Sequence, residues 1–174
     1  MKNLEIINAA RSREEWIKMV ELSEGMKGAV LSADILVVPS MMSKQPIAFM
    51  SGTTELFAYL QSQVGDRVEI CIDEDNYVEM ELNSRKIRLG KIVLKDIALP
   101  LFLSILGGYL ANQCNRPAVP DAVIEVQEFQ KPVEVEFSIT VEDSTGRRKE
   151  FKYDGPAAGY KEVSDAILKL WNEE

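Results

Sequence analysis

Apolar and polar positions alternate with a period of two along two separate stretches of the chain, and apolar residues recur every three to four positions along four others. In the first alternating stretch Val68, Ile70 and Ile72, then Val78, Met80 and Leu82, then Ile87 and Leu89 share one face. With Asn83-Ser84 as a two-residue turn, Met80 faces Ile87, Glu81 faces Lys86, Glu79 faces Arg88 and Val78 faces Leu89. With Glu74-Asp75-Asn76 as a three-residue loop, Ile72 faces Val78 and Ile70 faces Met80. Apolar meets apolar and acid meets base, which predicts a three-stranded antiparallel meander.

In the second stretch Val133, Val135, Phe137, Ile139 and Val141 share a face, and Phe151 and Tyr153 line a returning strand. Ser144-Thr145-Gly146 supplies a three-residue loop, with glycine where a positive φ is needed. Ile139 then faces Phe151, Phe137 faces Tyr153, Glu142 faces Arg148 and Ser138 faces Lys152. A strand over about 122–127 joins this hairpin as a second meander.

The helical patterns lie over about 12–24, 53–64, 99–112 and 157–172. Ser12-Arg13-Glu14-Glu15 has capping-box spacing, and Gly25 is placed to end the helix that follows. Gly65 ends the second helix, and Tyr160, Val163, Ile167, Leu170 and Trp171 stripe the last one. Two short proline-bounded runs, 34–39 and 46–50, read as strands, while Leu4 to Asn8 reads as a strand or as an extension of the first helix. The expected fold is α+β: a mostly antiparallel sheet from two three-stranded meanders, β-β-β-α twice over, with about four helices. It forms one domain over 1–174, with a mixed part over 1–65, a meander and helix over 66–115, and a second meander and helix over 120–174.

Composition changes this picture mainly by exclusion. Twenty-eight acidic residues against 20 basic ones leave a charge of −8, which repels a phosphate backbone and argues against nucleic acid, although Arg147, Arg148 and Lys149 cluster. The start, Met1-Lys2-Asn3-Leu4-Glu5, lacks the pattern of a secretory leader, so a cytoplasmic protein with Cys71 and Cys114 as reduced thiols is expected. The chain contains no histidine, which removes imidazole metal ligands and the Ser-His and Cys-His nucleophile pairs. No metal or cofactor is expected, and Asp or Glu is the remaining base.

Five features could carry function. Ile97 to Asn115 holds no charge, and its apolar part, Ile97 to Ala111, spans roughly 22 Å of helix against a hydrocarbon core of about 30 Å. It reads as a helix nearly fully buried in the core, with an oligomer interface or membrane contact as alternatives. Ser51-Gly52-Thr53-Thr54 follows an apolar strand and opens a helix, so it reads as a hydroxyl cap or as a cradle for an anionic ligand. Glu69, Asp73, Glu74, Asp75, Glu79 and Glu81 form a solvated acidic face, on which Cys71 sits beside Glu79 and is disfavoured as a thiolate. The last two are candidate contact surfaces, Met41-Met42 and the loop from Tyr153 and Asp154 to Tyr160.

These features lead to a non-enzymatic protein-protein interaction module, a regulatory, accessory or inhibitory subunit whose partner is another protein or a second copy of the chain. The alternatives are a small-ligand or phosphate-binding protein or enzyme built on Ser51 to Thr54, and a membrane-associated protein using 97–111.

Overall fold

The computed structural model describes residues 3–8, 10–42, 45–80, 86–114 and 132–173. Ser12 caps α1 (Arg13–Val20), its hydroxyl accepting from the Glu15 amide at 3.2 Å. The helix stops at Glu21, which takes a left-handed φ of 56°, and not near Gly25. Ser23 then donates from its amide and hydroxyl to the Asp73 carboxylate at 3.0 and 2.9 Å, and α2 (Glu24–Ser32) begins with Gly25 in its first turn. One expected helix is therefore two, and the described residues hold five α-helices in place of about four.

The strands are β1 (Leu4–Ile7), β2 (Ile35–Val38), β3 (Ser40–Met42), β4 (Gln45–Met50), β5 (Val68–Ile70), β6 (Glu79–Met80), β7 (Ile87–Lys95), β8 (Glu134–Glu142) and β9 (Arg148–Pro156). Between them run α3 (Ser51–Val64) and α4 (Leu99–Cys114), and α5 (Tyr160–Asn172) closes the chain. Six strands form one mixed sheet in the order β1-β9-β8-β7-β2-β5, with β7/β8 and β2/β5 parallel and the other pairs antiparallel. A smaller group, β3-β4-β6, stands beside it.

The second hairpin has the register its alternation predicts: Ile139 faces Phe151, Phe137 faces Tyr153, Ser138 faces Lys152 and Glu142 faces Arg148. Asp143 closes the loop, its Oδ1 accepting from Thr145 and Arg147 amides at 2.9 and 3.1 Å, while Gly146 takes a φ of 92°. The proposed third strand over 122–127 lies outside the described residues.

Among the described residues the strands of the first meander do not pair with one another. β5 lies parallel to β2 at a sheet edge, β6 pairs with β4, and β7 lies centrally between β8 and β2. Residues Glu74–Asn76 make a 3₁₀ turn where a hairpin loop was expected, and Asn83-Ser84 lies outside the described residues. Alternation records which side of a strand is buried and says nothing about which strand lies next to it. In this central strand Leu89, Ile92, Val93 and Leu94 are all buried, so both faces of the sheet are covered at β7.

One face of the sheet carries Val135, Phe137, Ile139, Val141, Phe151 and Tyr153, and α3, α4 and α5 cover it. Tyr59 of α3 contacts Tyr109 of α4 at 5.2 Å, and Tyr160 of α5 meets Phe137 edge-on at 6.1 Å. α1 and α2 lie over the other face at β2 and β7, where Trp16 borders the same recess as Val38 and Val93. Buried Arg13 ties them down, Nε to Glu142 at 2.6 Å and Nη1 to the Val30 carbonyl at 2.8 Å and to the Ala33 carbonyl.

α4 is an outer helix and not the nearly fully buried one expected. It buries Leu99, Phe102, Leu103, Leu106, Tyr109 and Leu110, while Pro100, Leu101, Ser104, Gly108 and Ala111 face outward. The helical run Asp96–Cys114 is long and apolar enough to cross a membrane by length and composition, and 39% of it is buried inside the domain.

Between Arg88 and Lys91 the β7/β8 register gains one residue on β7, a bulge carried by Gly90 at φ 74°. The start of α3 packs into this bulge: a Cβ on Gly90 would lie 2.5 Å from Thr53 Oγ1, and one on Gly52 would strike the Arg88 carbonyl. Gly146 has a similar φ, and a Cβ there would meet nothing within 4 Å. Gly146→Ala should therefore cost about 1–2 kcal/mol of backbone strain, and Gly90→Ala that plus about 1–3 kcal/mol of overpacking, as read from urea midpoints. Equal losses at the two positions would mean that the bulge is not packed against Thr53.

Candidate functional site

On the part of the sheet that α1 and α2 leave uncovered, alternate residues of four neighbouring strands turn their polar side chains the same way. β7 contributes Arg88 and Lys91, β8 Glu136 and Ser138, β9 Glu150, Lys152 and Asp154, and β1 Glu5. All of them except Glu150 line a cleft of about 320 Å³ walled by Ser40 and Met50 from the smaller strand group. Two smaller recesses adjoin it. One, of about 180 Å³, is lined by Ser51, Gly52, Lys86 and Tyr109 and shares Met50 and Arg88 with the cleft. The other, of about 210 Å³, is lined by Arg11, Trp16, Thr140 and Glu150 and shares Lys91.

The charges form a ladder across the strands. Lys86 bonds Asp154 and lies 3.6 Å from Glu136, which also lies 3.5 Å from Arg88 Nη1. Further along, Glu150 is only 8% exposed, accepts from Ser138 Oγ at 2.5 Å, and sits 3.9 Å from both Lys91 and Lys152. The hydrogen bond to Asp154 raises the Lys86 pKa above the ordinary lysine value. Lys91 shifts the opposite way: burial lowers its pKa, Lys152 and Arg11 push further down, and Glu150 opposes them. Among the described residues Arg88 Nε is buried without a hydrogen-bond partner.

Two of the sequence-derived sites meet here. Ser51 and Gly52 line the smaller recess, and Asp154 stands on the cleft rim bonded to Lys86, which lines that same recess. Ser51 to Thr54 are not a hydroxyl cap, because the cap position falls on Met50 and they lie within the helix. Thr54 Oγ1 meets the Tyr77 hydroxyl at 2.7 Å, and buried Thr53 Oγ1 has no partner among the described residues.

The tyrosines proposed as a contact surface are core residues. Tyr153 is 3% exposed and donates to the Pro156 carbonyl at 2.7 Å, while Tyr160 is 8% exposed and donates to the Leu103 carbonyl at 2.5 Å. Their rings pack on Phe137, which draws the loop inward, and burial pushes the Tyr160 hydroxyl pKa up. Met41 and Met42 belong to β3. The acidic group is dispersed: Asp73 holds Ser23, Glu79 accepts from Tyr77 at 3.0 Å, and Glu69 faces Leu36 in the β2/β5 pair. Among the described residues no group of three or more acidic or cysteine side chains could hold a metal ion.

Sequence reasoning missed Lys91, Glu150 and the site roles of Lys86, Arg88 and Lys152. A signal was present, since the correctly registered hairpin already places Ser138 opposite Lys152 on its polar side. Among the described residues Lys86 and Arg88 meet acids of β8 and β9, and the Glu81 expected opposite Lys86 lies outside the described residues. Compared with models of known protein families, with curated proteins and with solved structures, the chain matches none.

Cys71 is also displaced from its expected polar face. It is fully buried, its amide donates to the Val37 carbonyl at 2.8 Å, and burial pushes its thiol from 9.0 up to about 12, with Arg13 opposing. Between those values the unfolded chain releases a proton that the folded chain keeps, so stability is full below pH 9 and falls as pH rises. From pH 8 to pH 10 the wild type should lose about 1.4 kcal/mol more than Cys71→Ala in denaturant titrations. Parallel pH profiles for the two proteins would refute this burial of the thiol.

Proposed function

We propose that the protein is a binding module for a small oxyanion, a molecule bearing a carboxylate or phosphate, held in the open-face cleft. The observation that carries this reading is Arg88. It borders both the cleft and the recess at the start of α3, with Lys86, Lys91 and Lys152 nearby, and its Nε is a buried donor lacking an acceptor among the described residues. A guanidinium offers five donors in a planar fork suited to carboxylate and phosphate oxygens, and the Glu136 contact through Nη1 at 3.5 Å is long for a hydrogen bond. In a chain of net charge −8, the cleft lining sets Arg88, Lys91 and Lys152 against Glu5, Glu136 and Asp154, so charge there is balanced where the chain as a whole is acidic.

Calorimetric titration with inorganic phosphate, pyrophosphate and citrate tests this reading. Binding is expected for at least one of them, with a raised melting temperature. Arg88→Met should lose roughly 1.5–3 kcal/mol of affinity, tenfold or more, as for a hydrogen bond to a charged group. Absence of heat for all three anions at millimolar concentration would remove it.

A second reading, a protein-protein contact, rests on the outer face of α4. Ile97 is 72% exposed just before the helix, Leu101 is exposed one turn on, and no charged residue occurs from Ile97 to Cys114. The occupant we favour is a second copy of the chain, because two acidic molecules repel least where their facing surfaces are uncharged. Sedimentation velocity should show a concentration-dependent dimer that Ile97→Glu returns to monomer. A wild type that stays monomeric sinks this reading, and uptake by neutral vesicles would assign the face to a membrane.

A further inference from the structure

Lys91 stands where the cleft meets the recess beside Trp16, and it lines both. It directly follows the Gly90 bulge and faces Ser138 of β8. Its Nζ lies 3.9 Å from Glu150 Oε1, the oxygen that accepts the Ser138 hydroxyl at 2.5 Å and that Lys152 Nζ approaches at 3.9 Å. One buried carboxylate oxygen thus serves two lysines and a hydroxyl. The other charged groups around Lys91 are Arg11 before α1, Arg88 on its own strand, Glu136 of β8 and Glu5 of β1. The Lys91 side chain is 36% exposed, which leaves it open to a small molecule in the cleft.

Resting on the oxyanion reading above, we propose that Lys91 is a nucleophilic amine that forms an imine with a small carbonyl compound bearing a carboxylate or phosphate. The Nζ lone pair attacks the carbonyl carbon and the carbonyl π pair moves to oxygen. The resulting carbinolamine then loses one water to leave a C=N bond, with no oxidant or reductant consumed. Arg88 and Lys152 flank Lys91 to hold the anionic group, and the proton that Nζ must release first passes to solvent, to which the side chain is open. Attack requires the unprotonated amine, and desolvation together with neighbouring cations favours that form at Lys91 against the opposing Glu150 carboxylate.

The test is reductive alkylation of the whole protein at neutral pH, with glyoxylate or formaldehyde as the aldehyde and cyanoborohydride to reduce the imine, followed by peptide mass mapping. Glyoxylate should label Lys91 several-fold ahead of exposed Lys161, with loss of that adduct in Lys91→Arg. With uncharged formaldehyde, Glu150→Gln should raise the Lys91 rate and Lys152→Met should lower it. Those opposite signs follow from nearby charge, and accessibility alone would not produce them. If neither aldehyde labels Lys91 faster than Lys161, the inference fails, and the oxyanion reading stands or falls on the calorimetry. Preference with formaldehyde but not with glyoxylate overturns the anionic carbonyl class and with it this inference, and leaves the oxyanion reading to the calorimetry.

Discussion

The parallel pairing of β7 with β8 is the constraint on which the rest of the molecule depends. Ile92 lies beside Ile139 and Leu94 beside Val141, so the centre of the sheet joins residues far apart in the chain. Two parallel neighbours cannot be joined by a hairpin, because the chain must return to the starting end before the second strand begins. α4 makes part of that return and lies across one face of the sheet, where it buries Phe102, Leu103 and Leu106. Its opposite side is therefore turned outward. The exposed uncharged surface at Leu101 and Ala111 follows from where the crossover must run.

The same pairing creates the cleft. Arg88 and Lys91 reach the polar side of β8 and β9 only because β7 lies next to β8, and the extra residue at Gly90 restores the inward-outward alternation after Arg88. The bulge also opens the space that α3 enters with Gly52 and Thr53. Sheet geometry and site geometry thus share one irregularity. On the far side of the same strands, Ile87, Ile92 and Leu94 point into the core, so the polar ladder lies over a rigid apolar layer.

Charge in this ladder is arranged so that equal side chains acquire unequal chemistry. Lys86 is bonded to an exposed aspartate at the rim, which favours its ammonium form. At Lys91 desolvation and the neighbouring cations Lys152 and Arg11 outweigh the shared carboxylate and disfavour the same form. Two lysines five positions apart thereby differ in proton affinity, one through a carboxylate hydrogen bond and the other through desolvation and neighbouring cations.

Local chemistry was legible in the sequence. The Ser12 cap, the Gly65 stop and the β8/β9 register with its Gly146 turn all follow from contacts between residues near one another in the chain, which spacing and side-chain type record directly. Long-range pairing was not. Val68, Val78 and Ile87 alternate as a meander would, yet their strands go to β2, to β4 and to the β2–β8 gap, because a strand pattern specifies a buried side and not a neighbour. For that reason Tyr153 and Tyr160 looked like surface in a loop of glycines and a proline, while Phe137 holds both inside. By itself the sequence determined the class of fold, most helices, one hairpin and an acidic chain without imidazole chemistry. Tertiary structure alone decided which cations converge on one cleft, because that depends on strand order, and strand order is settled by the burial of whole faces rather than by any local signal.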